Sequence, residues 1–327
     1  MDEKEFMMEM NRKASGKRVY EILAETYPQL YLDPAKEGSD EAYRQIVRRG
    51  EAAPEKTLAH FQISPDDRLE EVKTPAGKLQ VVTLRERHDF ETFLQIMANR
   101  CVAQEIPRTQ GASILNGVIN WRRIEAHEAS FFAEAEKNGE TDPDWNAEFK
   151  RFTSDKQNYT NALVILSVGP YSGLDASVAG FSEEEWIIYS DTIRKYHECT
   201  HFICRRLYPE KIDALWDELV ADAIGIYAAF HHYDRRLAEL FLGIENGRYT
   251  GGRLEIYVDK AGESAAFQAS PHAAGITEDT DRRKLLEAAA AWADGVLDEI
   301  EKLLSTQRES NPYALISLLE EQYPGGT

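Results

Sequence analysis

Five consecutive residues in the middle of the chain have the types and spacing of a zinc-binding motif. The segment His197-Glu198-Cys199-Thr200-His201 has the pattern H-E-x-x-H. At about 100° per residue, histidines four positions apart lie about 40° apart on one helix face, so one metal ion can bind both imidazoles. Glu198 lies beside the first histidine, where its carboxylate can reach a metal-bound water without being a ligand. The motif therefore predicts a hydrolytic zinc site with Glu198 as its general base.

The third ligand must come from another part of the chain, since catalytic zinc sites use three protein ligands and one water. Sixteen residues separate His201 from Glu218, and Asp222 follows Glu218 one turn later on the same face of a second predicted helix. The small residues on this face, which favour close approach of two helices, are Ala214, Ala221, Gly225 and Ala229. Glu218 is thus the predicted third zinc ligand, and Asp222 is predicted to accept the free N–H of a ligating histidine.

This arrangement resembles the gluzincin zinc metallopeptidases, in which H-E-x-x-H is followed on a later helix by E-x-x-x-D. The residues that match are His197-Glu198-x-x-His201 and Glu218-x-x-x-Asp222. The resemblance covers the metal-site segment only, and the interval between its two parts is short for that group. It implies a zincin-like core, the same three ligands and the same base, and a peptide or other small amide as the substrate.

Two further features are implied by the same resemblance. Gluzincins have a strand antiparallel to the bound peptide ahead of the active-site helix, and the apolar segment 161–168 has a comparable place in the order of elements. They also supply a Tyr, His or Arg from a later segment to hold the oxyanion formed during hydrolysis. In this chain, Tyr249 and Arg253 in the segment RYTGGR are the candidate oxyanion donors.

The helices that must carry these residues are marked by strong local signals. Ser182 and Glu185 form a capping box that begins a long helix ending before Pro209. Pro209 suits the first turn of the next helix, which is predicted to continue as far as Leu242. The two histidines and Glu218 therefore fall on consecutive helices.

The remaining segments predict an α+β protein that is predominantly helical. The sequences EEVKT and LQVVTL flank a turn at 75–78 and predict a hairpin, and NALVILSV at 161–168 predicts a buried strand. The other predicted elements are helices at 89–104, 112–137, 280–305 and 311–322 and a strand, RLEIYV, at 253–258. The predicted domains are an N-terminal α+β lobe at 1–88, a mainly helical zincin-like core at 89–247, and a C-terminal strand with helices at 248–327.

Charge and cysteine content exclude several classes of function. The chain has 38 Lys and Arg against 57 Asp and Glu, a net charge of −19, which repels phosphate backbones and anionic membrane surfaces. Nucleic acid and membranes are therefore not expected partners, and the lack of a signal-peptide-like segment at the start predicts a cytoplasmic protein. Three cysteines without a C-x-x-C pair fit neither a disulfide framework nor a cysteine zinc site. We expect Cys101, Cys199 and Cys204 to be reduced, buried thiols.

The leading interpretation is a zinc-dependent hydrolase of peptide or other amide bonds, and several alternatives remain open at this stage. The zinc could be structural, stapling two helices while the flanking regions bind a partner. A di-iron site would use Glu198-x-x-His201 together with a second such motif, to which Glu125 and Glu128 come closest. The dipeptide H-D at 88–89 would need further His and Asp residues to form a phosphohydrolase site, and a helical interaction protein would hold no metal. The sequence does not predict the oligomeric state.

Overall fold

The first half of the protein contains a five-stranded mixed sheet. The computed structural model describes residues 12–277 and 280–325. The strands of the sheet are β1 (Arg12–Ser15), β2 (Arg68–Thr74), β3 (Gly77–Leu84), β4 (Ala112–Ile119) and β5 (Thr160–Ser167). They lie in the order β1-β2-β3-β5-β4, with β3 and β5 parallel and the pairs β1–β2 and β4–β5 antiparallel. The predicted hairpin is confirmed as β2 and β3, and the predicted buried strand is confirmed as β5.

The described part of the first half of the protein also contains five α-helices. They are α1 (Lys17–Thr26), α2 (Ser39–Arg49), α3 (Arg87–Met97), α4 (Trp121–Lys137) and α5 (Trp145–Thr153). Tyr20 of α1 and Phe93 of α3 are fully buried in one hydrophobic cluster with Ile165 of β5. Helix α3 is shorter than the predicted helix at 89–104, because Arg100 and Cys101 have φ values of 57° and 60° and turn the chain out of the helix.

The prediction of one helix at 112–137 is wrong in its first part. Residues 112–119 form strand β4, and the helix begins only at Trp121. Pairs such as Ile114 with Val164 and Leu115 with Leu163 align β4 along β5, and the register shifts at Gly117, which has a φ of 71°. The apolar residues of this segment are spaced as on a helix face, but pairing with a strand more than forty residues away decides their conformation.

The second half of the protein is almost entirely helical. Its helices are α6 (Ala176–Ala179), α7 (Glu183–Leu207), α8 (Trp216–Phe230), α9 (Arg235–Leu242), α10 (Leu254–Tyr257), α11 (Ala265–Gln268), α12 (Arg282–Ser305) and α13 (Leu315–Glu320). Two short strands, β6 (Ile244–Glu245) and β7 (Arg248–Tyr249), form a separate two-stranded sheet. The protein is therefore mixed α and β with helix predominating, as predicted, and the long helix at 280–305 is confirmed as α12.

The chain between α7 and α8 is longer than predicted. Pro209 begins a 3-10 turn, Pro209–Lys211, and the helix itself starts at Trp216. The start is fixed by Asp213, whose Oδ1 accepts hydrogen bonds from the backbone N–H groups of Leu215 and Trp216, both at 3.0 Å. Helix α8 ends at His231 in the left-handed conformation, so α9 is a separate helix rather than a continuation.

The predicted strand at 253–258 is helical. Helix α10 covers Leu254–Tyr257, and a 3-10 helix continues over Val258–Glu263. Leu254 and Val258 are buried while Ile256 is 56% exposed. In a strand these three side chains would lie on one face, whereas a helix places the first and the third together and turns the middle one away.

The chain divides into two compact units that differ from the three predicted segments. The first unit contains the described residues up to Val72 and Leu79–Ser167, and the second contains Lys73–Lys78 and the described residues from Val168 onwards. Residues 89–167 join the N-terminal residues because β4 and β5 complete the sheet. The C-terminal segment groups with the metal-site helices, since α12 packs against α8, α9 and α10.

Two expectations concern membranes and targeting. Over the described residues, none of the helices combines the length and apolar character needed to span a membrane. The expectation about a signal segment falls largely on residues 1–11, which lie outside the described residues.

Candidate metal centre

Helix α7 presents the H-E-x-x-H motif, and it begins as the sequence predicts. The backbone N–H of Glu185 donates to Ser182 Oγ at 3.3 Å, and the backbone N–H of Ser182 donates to Glu185 Oε2 at 3.0 Å. This reciprocal capping box satisfies two N–H groups that the first turn would otherwise leave unpaired. The same turn contains three acidic residues, Glu183, Glu184 and Glu185. Their negative charges interact favourably with the positive end of the helix dipole.

Helices α7 and α8 approach so closely that one position between them requires glycine. A Cβ atom at Gly225 would lie 2.7 Å from the backbone oxygen of Ile193. Ala221 and Ala229 on the same face of α8 are buried, while Ala214 precedes the start of the helix. The small face predicted from the sequence is therefore the surface on which the two helices meet.

The three predicted ligands converge on one point. His197 Nε2 and His201 Nε2 are 3.1 Å apart. The Glu218 carboxylate lies 3.5 Å from the first nitrogen through Oε2 and 3.4 Å from the second through Oε1. Ligands held about 2.0–2.2 Å from a tetrahedral zinc ion lie about 3.3–3.6 Å from one another, and the three separations fall within or just below this range.

The surroundings of these atoms fit a cation better than a simple ion pair. Glu218 Oε2 is buried and has no hydrogen-bond partner in the described structure. His197 is 5% exposed and His201 is 8% exposed, so water does not satisfy them freely. A metal ion would pair with the unpaired carboxylate oxygen and with both nitrogens, removing the cost of leaving buried polar atoms unsatisfied.

Behind His197 lies a buried hydrogen-bonded group. Asp222 Oδ1 is 2.9 Å from His197 Nδ1, and the Tyr171 hydroxyl donates to the same carboxylate oxygen at 2.7 Å. Tyr171 Oη is also 2.9 Å from His197 Nδ1. Arg253 donates to Asp222 Oδ2 and, at 2.8 Å, to the Tyr171 hydroxyl. Asp222 is thus in the position predicted for the residue that orients a ligating histidine.

Charge interactions outweigh burial in setting the pKa values of the central groups. Burial raises the pKa of Glu218, but the neighbouring His201 and His197 lower it further, so the net pKa lies well below the ordinary value. Burial also raises the pKa of Asp222, and Arg253 with His197 reverses the effect. Burial lowers the pKa of His201, whereas Glu218 raises it above its usual value. Both carboxylates are therefore ionised, as metal binding requires.

Glu198 is separate from the three ligands. It is half-buried and has no hydrogen bond or ion pair among the described residues, although its charge acts on His201 and Arg194. Arg194, one turn earlier on α7, is buried and donates to the backbone oxygens of Gly169 and Pro170 at 3.1 and 3.2 Å. The carboxylate of Glu198 is therefore available to a water molecule at the site, as a general base must be.

The two predicted oxyanion donors have other partners. The Tyr249 hydroxyl accepts from the backbone N–H of Gly252 at 3.0 Å and lies 3.0 Å from Glu255 Oε2. Arg253 reaches the centre, but through Asp222 and Tyr171, on the far side of His197 from the metal-binding nitrogen. The role of Tyr249 as an oxyanion donor stays a prediction, and Arg253 lies among the groups behind His197.

Sequence reasoning missed two tyrosines. Tyr171 follows the predicted buried strand in a turn, and nothing in its local pattern marks it as part of the site. Tyr257 lies four residues after Arg253 on α10, and burial raises the pKa of its hydroxyl, as does the negative charge of Glu218. A helical reading of 253–258 would have placed Tyr257 on the same face as Arg253.

The predicted peptide-binding role of the strand at 161–168 is wrong. Strand β5 pairs with β3 on one edge and with β4 on the other. Both rows of backbone hydrogen-bonding groups are therefore occupied, and a peptide cannot add to it as a further strand.

The other residues with possible chemistry are structural. Cys101, Cys199 and Cys204 are buried and unpaired with one another, as expected. Asp89 accepts hydrogen bonds from the backbone N–H groups of Gln62 and Ile63, both at 2.8 Å, which explains its burial in the H-D dipeptide. Within 12–277 and 280–325, the ligand triad is the one cluster of three or more His, Cys, Asp or Glu side chains close enough to hold a metal ion. This finding removes the support for a second metal-binding motif of the di-iron type.

Comparison with known proteins gives a family but no activity. Curated proteins gave no match to this chain, and solved structures gave none. Residues 3–272, which include the whole metal centre, match a family of unknown function, DUF7005. The chain belongs to this family.

Proposed function

We propose that the protein is a zinc-dependent hydrolase of amide bonds with a zincin-like core similar to that of gluzincins. The observation that carries the proposal is the convergence of two histidine nitrogens and one carboxylate at separations of 3.1 to 3.5 Å. The H-E-x-x-H geometry on α7 and the Glu218-x-x-x-Asp222 geometry on α8 both support the same set of roles. No fourth His, Cys, Asp or Glu joins the cluster among the described residues, which favours an open position for water.

In this mechanism each side chain has a distinct task. Zinc held by His197, His201 and Glu218 would acidify a bound water and polarise the substrate carbonyl. Glu198 accepts the proton of that water and delivers it to the leaving amine. Tyr257, whose pKa is raised by burial and by the charge of Glu218, is a further candidate beside Tyr249 for the hydrogen-bond donor to the developing oxyanion.

The proposal is tested by metal content together with one conservative variant. Purified protein should contain about one zinc ion per chain, and Glu198→Gln should retain it, because glutamine preserves the size of a side chain that is not a ligand. Hydrolysis of members of a peptide and acyl-amide library should fall by roughly 10²–10⁴-fold in Glu198→Gln, the usual effect of losing a general base. The control is Glu184→Gln, an exposed residue in the first turn of the same helix. Equal turnover by wild type and Glu198→Gln would contradict the mechanism, and a protein that takes up no zinc would contradict the metal site.

A structural zinc site is the second candidate function. It is favoured by the low exposure of the histidines and by the position of the ligands on two adjacent helices, which a metal ion would hold together. Retained zinc without hydrolysis of any library member would favour this candidate over catalysis.

A further inference from the structure

The glycine-rich segment after α9 makes an unusually close backbone crossing. A Cβ atom at Gly252 would lie 2.4 Å from the backbone nitrogen of Gly243, a separation that real side chains do not reach. The backbone N–H of Thr250 donates to Gly243 O at 2.7 Å, and that of Arg253 donates to Phe241 O at 3.0 Å. These hydrogen bonds hold the hairpin of β6 and β7 against the C-terminal end of α9. They also fix the backbone position from which the Arg253 side chain extends.

From this backbone position, the guanidinium group of Arg253 reaches the buried side of the candidate metal centre. Its two terminal nitrogens donate to Asp222 and to the Tyr171 hydroxyl, and its central carbon lies 4.9 Å from the centroid of the Tyr171 ring. Arg253 Nε is buried and has no hydrogen-bond partner among the described residues. The hydrogen bonds of both terminal nitrogens thus go to the groups behind His197.

The positions of the protons in this group follow from the donors and acceptors. A guanidinium only donates, so Asp222 and the oxygen of Tyr171 accept from Arg253. The Tyr171 hydroxyl then donates its own proton to Asp222 Oδ1. His197 Nδ1 faces two oxygens at 2.9 Å, and it can contribute a bond only by donating its proton to Asp222. The proton of a neutral His197 therefore lies on Nδ1, which leaves the lone pair of Nε2 directed at the ligand cluster.

We infer that Arg253 and Tyr171 are positioning residues that fix the tautomer and orientation of His197, and that the Gly243–Gly252 crossing holds Arg253 in place for this task. The inference rests on the proposed metal site but goes beyond it. It assigns a role to a glycine-rich segment that contains no metal ligand.

The first test measures the tautomer of His197 without any metal. Long-range ¹H–¹⁵N spectra of metal-free, ¹⁵N-histidine-labelled protein should show a protonated Nδ1 and an unprotonated Nε2 for His197. Tyr171→Phe and Arg253→Met should introduce the other tautomer or broaden the signal by exchange. Spectra of both variants identical to that of wild type would overturn the inference, whatever the protein binds.

The second test measures zinc affinity by competition with a chelator. Arg253→Met and Tyr171→Phe should weaken zinc binding by roughly 10–100-fold, the usual effect of losing an outer partner of a ligating histidine. Arg253→Lys, which keeps a positive donor, should recover part of the affinity. A merely structural role would lower thermal stability in all three variants without this order of affinities.

The third test concerns the Gly243–Gly252 crossing, which contains no metal ligand. Gly252→Ala should weaken zinc binding, because its methyl group displaces the backbone that carries Arg253, while Gly262→Ala, which has open space around it, should leave the affinity unchanged. Wild-type affinity in a folded Gly252→Ala protein would overturn the role of the crossing. If wild type itself binds no zinc, the proposed function fails, and the tautomer measurement still decides this inference.

Discussion

At the scale of single residues, the candidate metal centre separates side chains that would contact an ion from those that would act through a ligand. Glu218 faces both histidine nitrogens, whereas Asp222 contacts only the opposite nitrogen of one ring. Both carboxylates are ionised and belong to one helix face, so charge alone does not distinguish their roles. The positions of the two carboxylates relative to the imidazole rings distinguish their roles.

This difference predicts unequal effects of removing the two carboxylates. Glu218→Ala should abolish tight zinc binding, because it removes one of three ligands. Asp222→Ala should weaken binding by roughly 10–100-fold, since all three ligands remain and only the orientation of His197 is lost. Isothermal titration with zinc measures both, with Glu210→Ala, an exposed carboxylate in the turn before α8, as the control. Similar affinities for the Glu218 and Asp222 variants would assign the third ligand to another residue.

At the scale of elements, the site depends on the close packing of α7 against α8. The histidines and Glu218 reach a common point only because the backbones meet at Gly225, where a side chain would collide with α7. The close packing of α8 against α7 therefore depends on the absence of a side chain at Gly225 as well as on the candidate ligands.

Gly225→Ala should both destabilise the protein and weaken zinc binding. The added methyl group lies 2.7 Å from Ile193 O, and relieving this contact must move one helix away from the other. We expect a loss of about 1–3 kcal/mol in the free energy of unfolding, the usual cost of overpacking. The control is Gly295→Ala in α12, where the Cβ meets open space and the higher helix propensity of alanine should stabilise by up to about 1 kcal/mol. Chemical unfolding measures both, and a neutral Gly225→Ala would contradict the close approach.

Glu320, at the end of helix α13, makes the free energy of unfolding depend on pH. Burial, and then the charge of Asp217, raise the pKa of Glu320 from 4.5 to about 7. Because the pKa in the folded protein is raised, the stability associated with protonated Glu320 is fully present below about pH 4.5 and is lost as the pH rises through about 7. Glu320→Gln removes the charge, so the variant should be more stable than wild type at pH 8, by about 1–3 kcal/mol.

Urea unfolding at pH 5 and pH 8 in the presence of chelator, which removes any contribution of zinc, measures this difference. Glu321→Gln, an exposed neighbour, is the control. A gain in stability that is the same at both pH values would show that the charge of Glu320 is not its cause.

At the scale of the whole molecule, every residue of the metal centre belongs to the second unit. The ligands, Glu198 and the residues behind His197 all follow Val168 in the chain, and the sheet of the first unit contributes none of them. Metal binding should therefore stabilise one unit more than the other.

Zinc should slow backbone hydrogen exchange in the second unit selectively. A ligand at a hundred times its dissociation constant stabilises the folded form that binds it by about 2.7 kcal/mol. Exchange in α7 and α8 should slow accordingly on addition of zinc, while exchange in β3 and β5 should remain unchanged. Magnesium at the same concentration is the control, because a site with two histidines disfavours it. Equal protection of both units would contradict a site confined to the second.

The sequence by itself determined the parts of the protein that depend on short spacing. The capping box of α7, the two histidines one turn apart, and the Glu218-x-x-x-Asp222 face with Gly225 are all present as predicted. In each case the interacting groups are three to seven residues apart on one helix, so the helical repeat alone decides which side chains share a face.

Only the tertiary structure decided the features that depend on distant partners. Segment 112–119 is a strand because β5 pairs with it, and the glycines at 243 and 252 lie close together although they are nine residues apart. The same crossing brings Arg253 to Tyr171, 82 residues away in the chain. Local propensity contains no information about such contacts, since burial and hydrogen bonding to remote segments supply more free energy than the preference of any single residue.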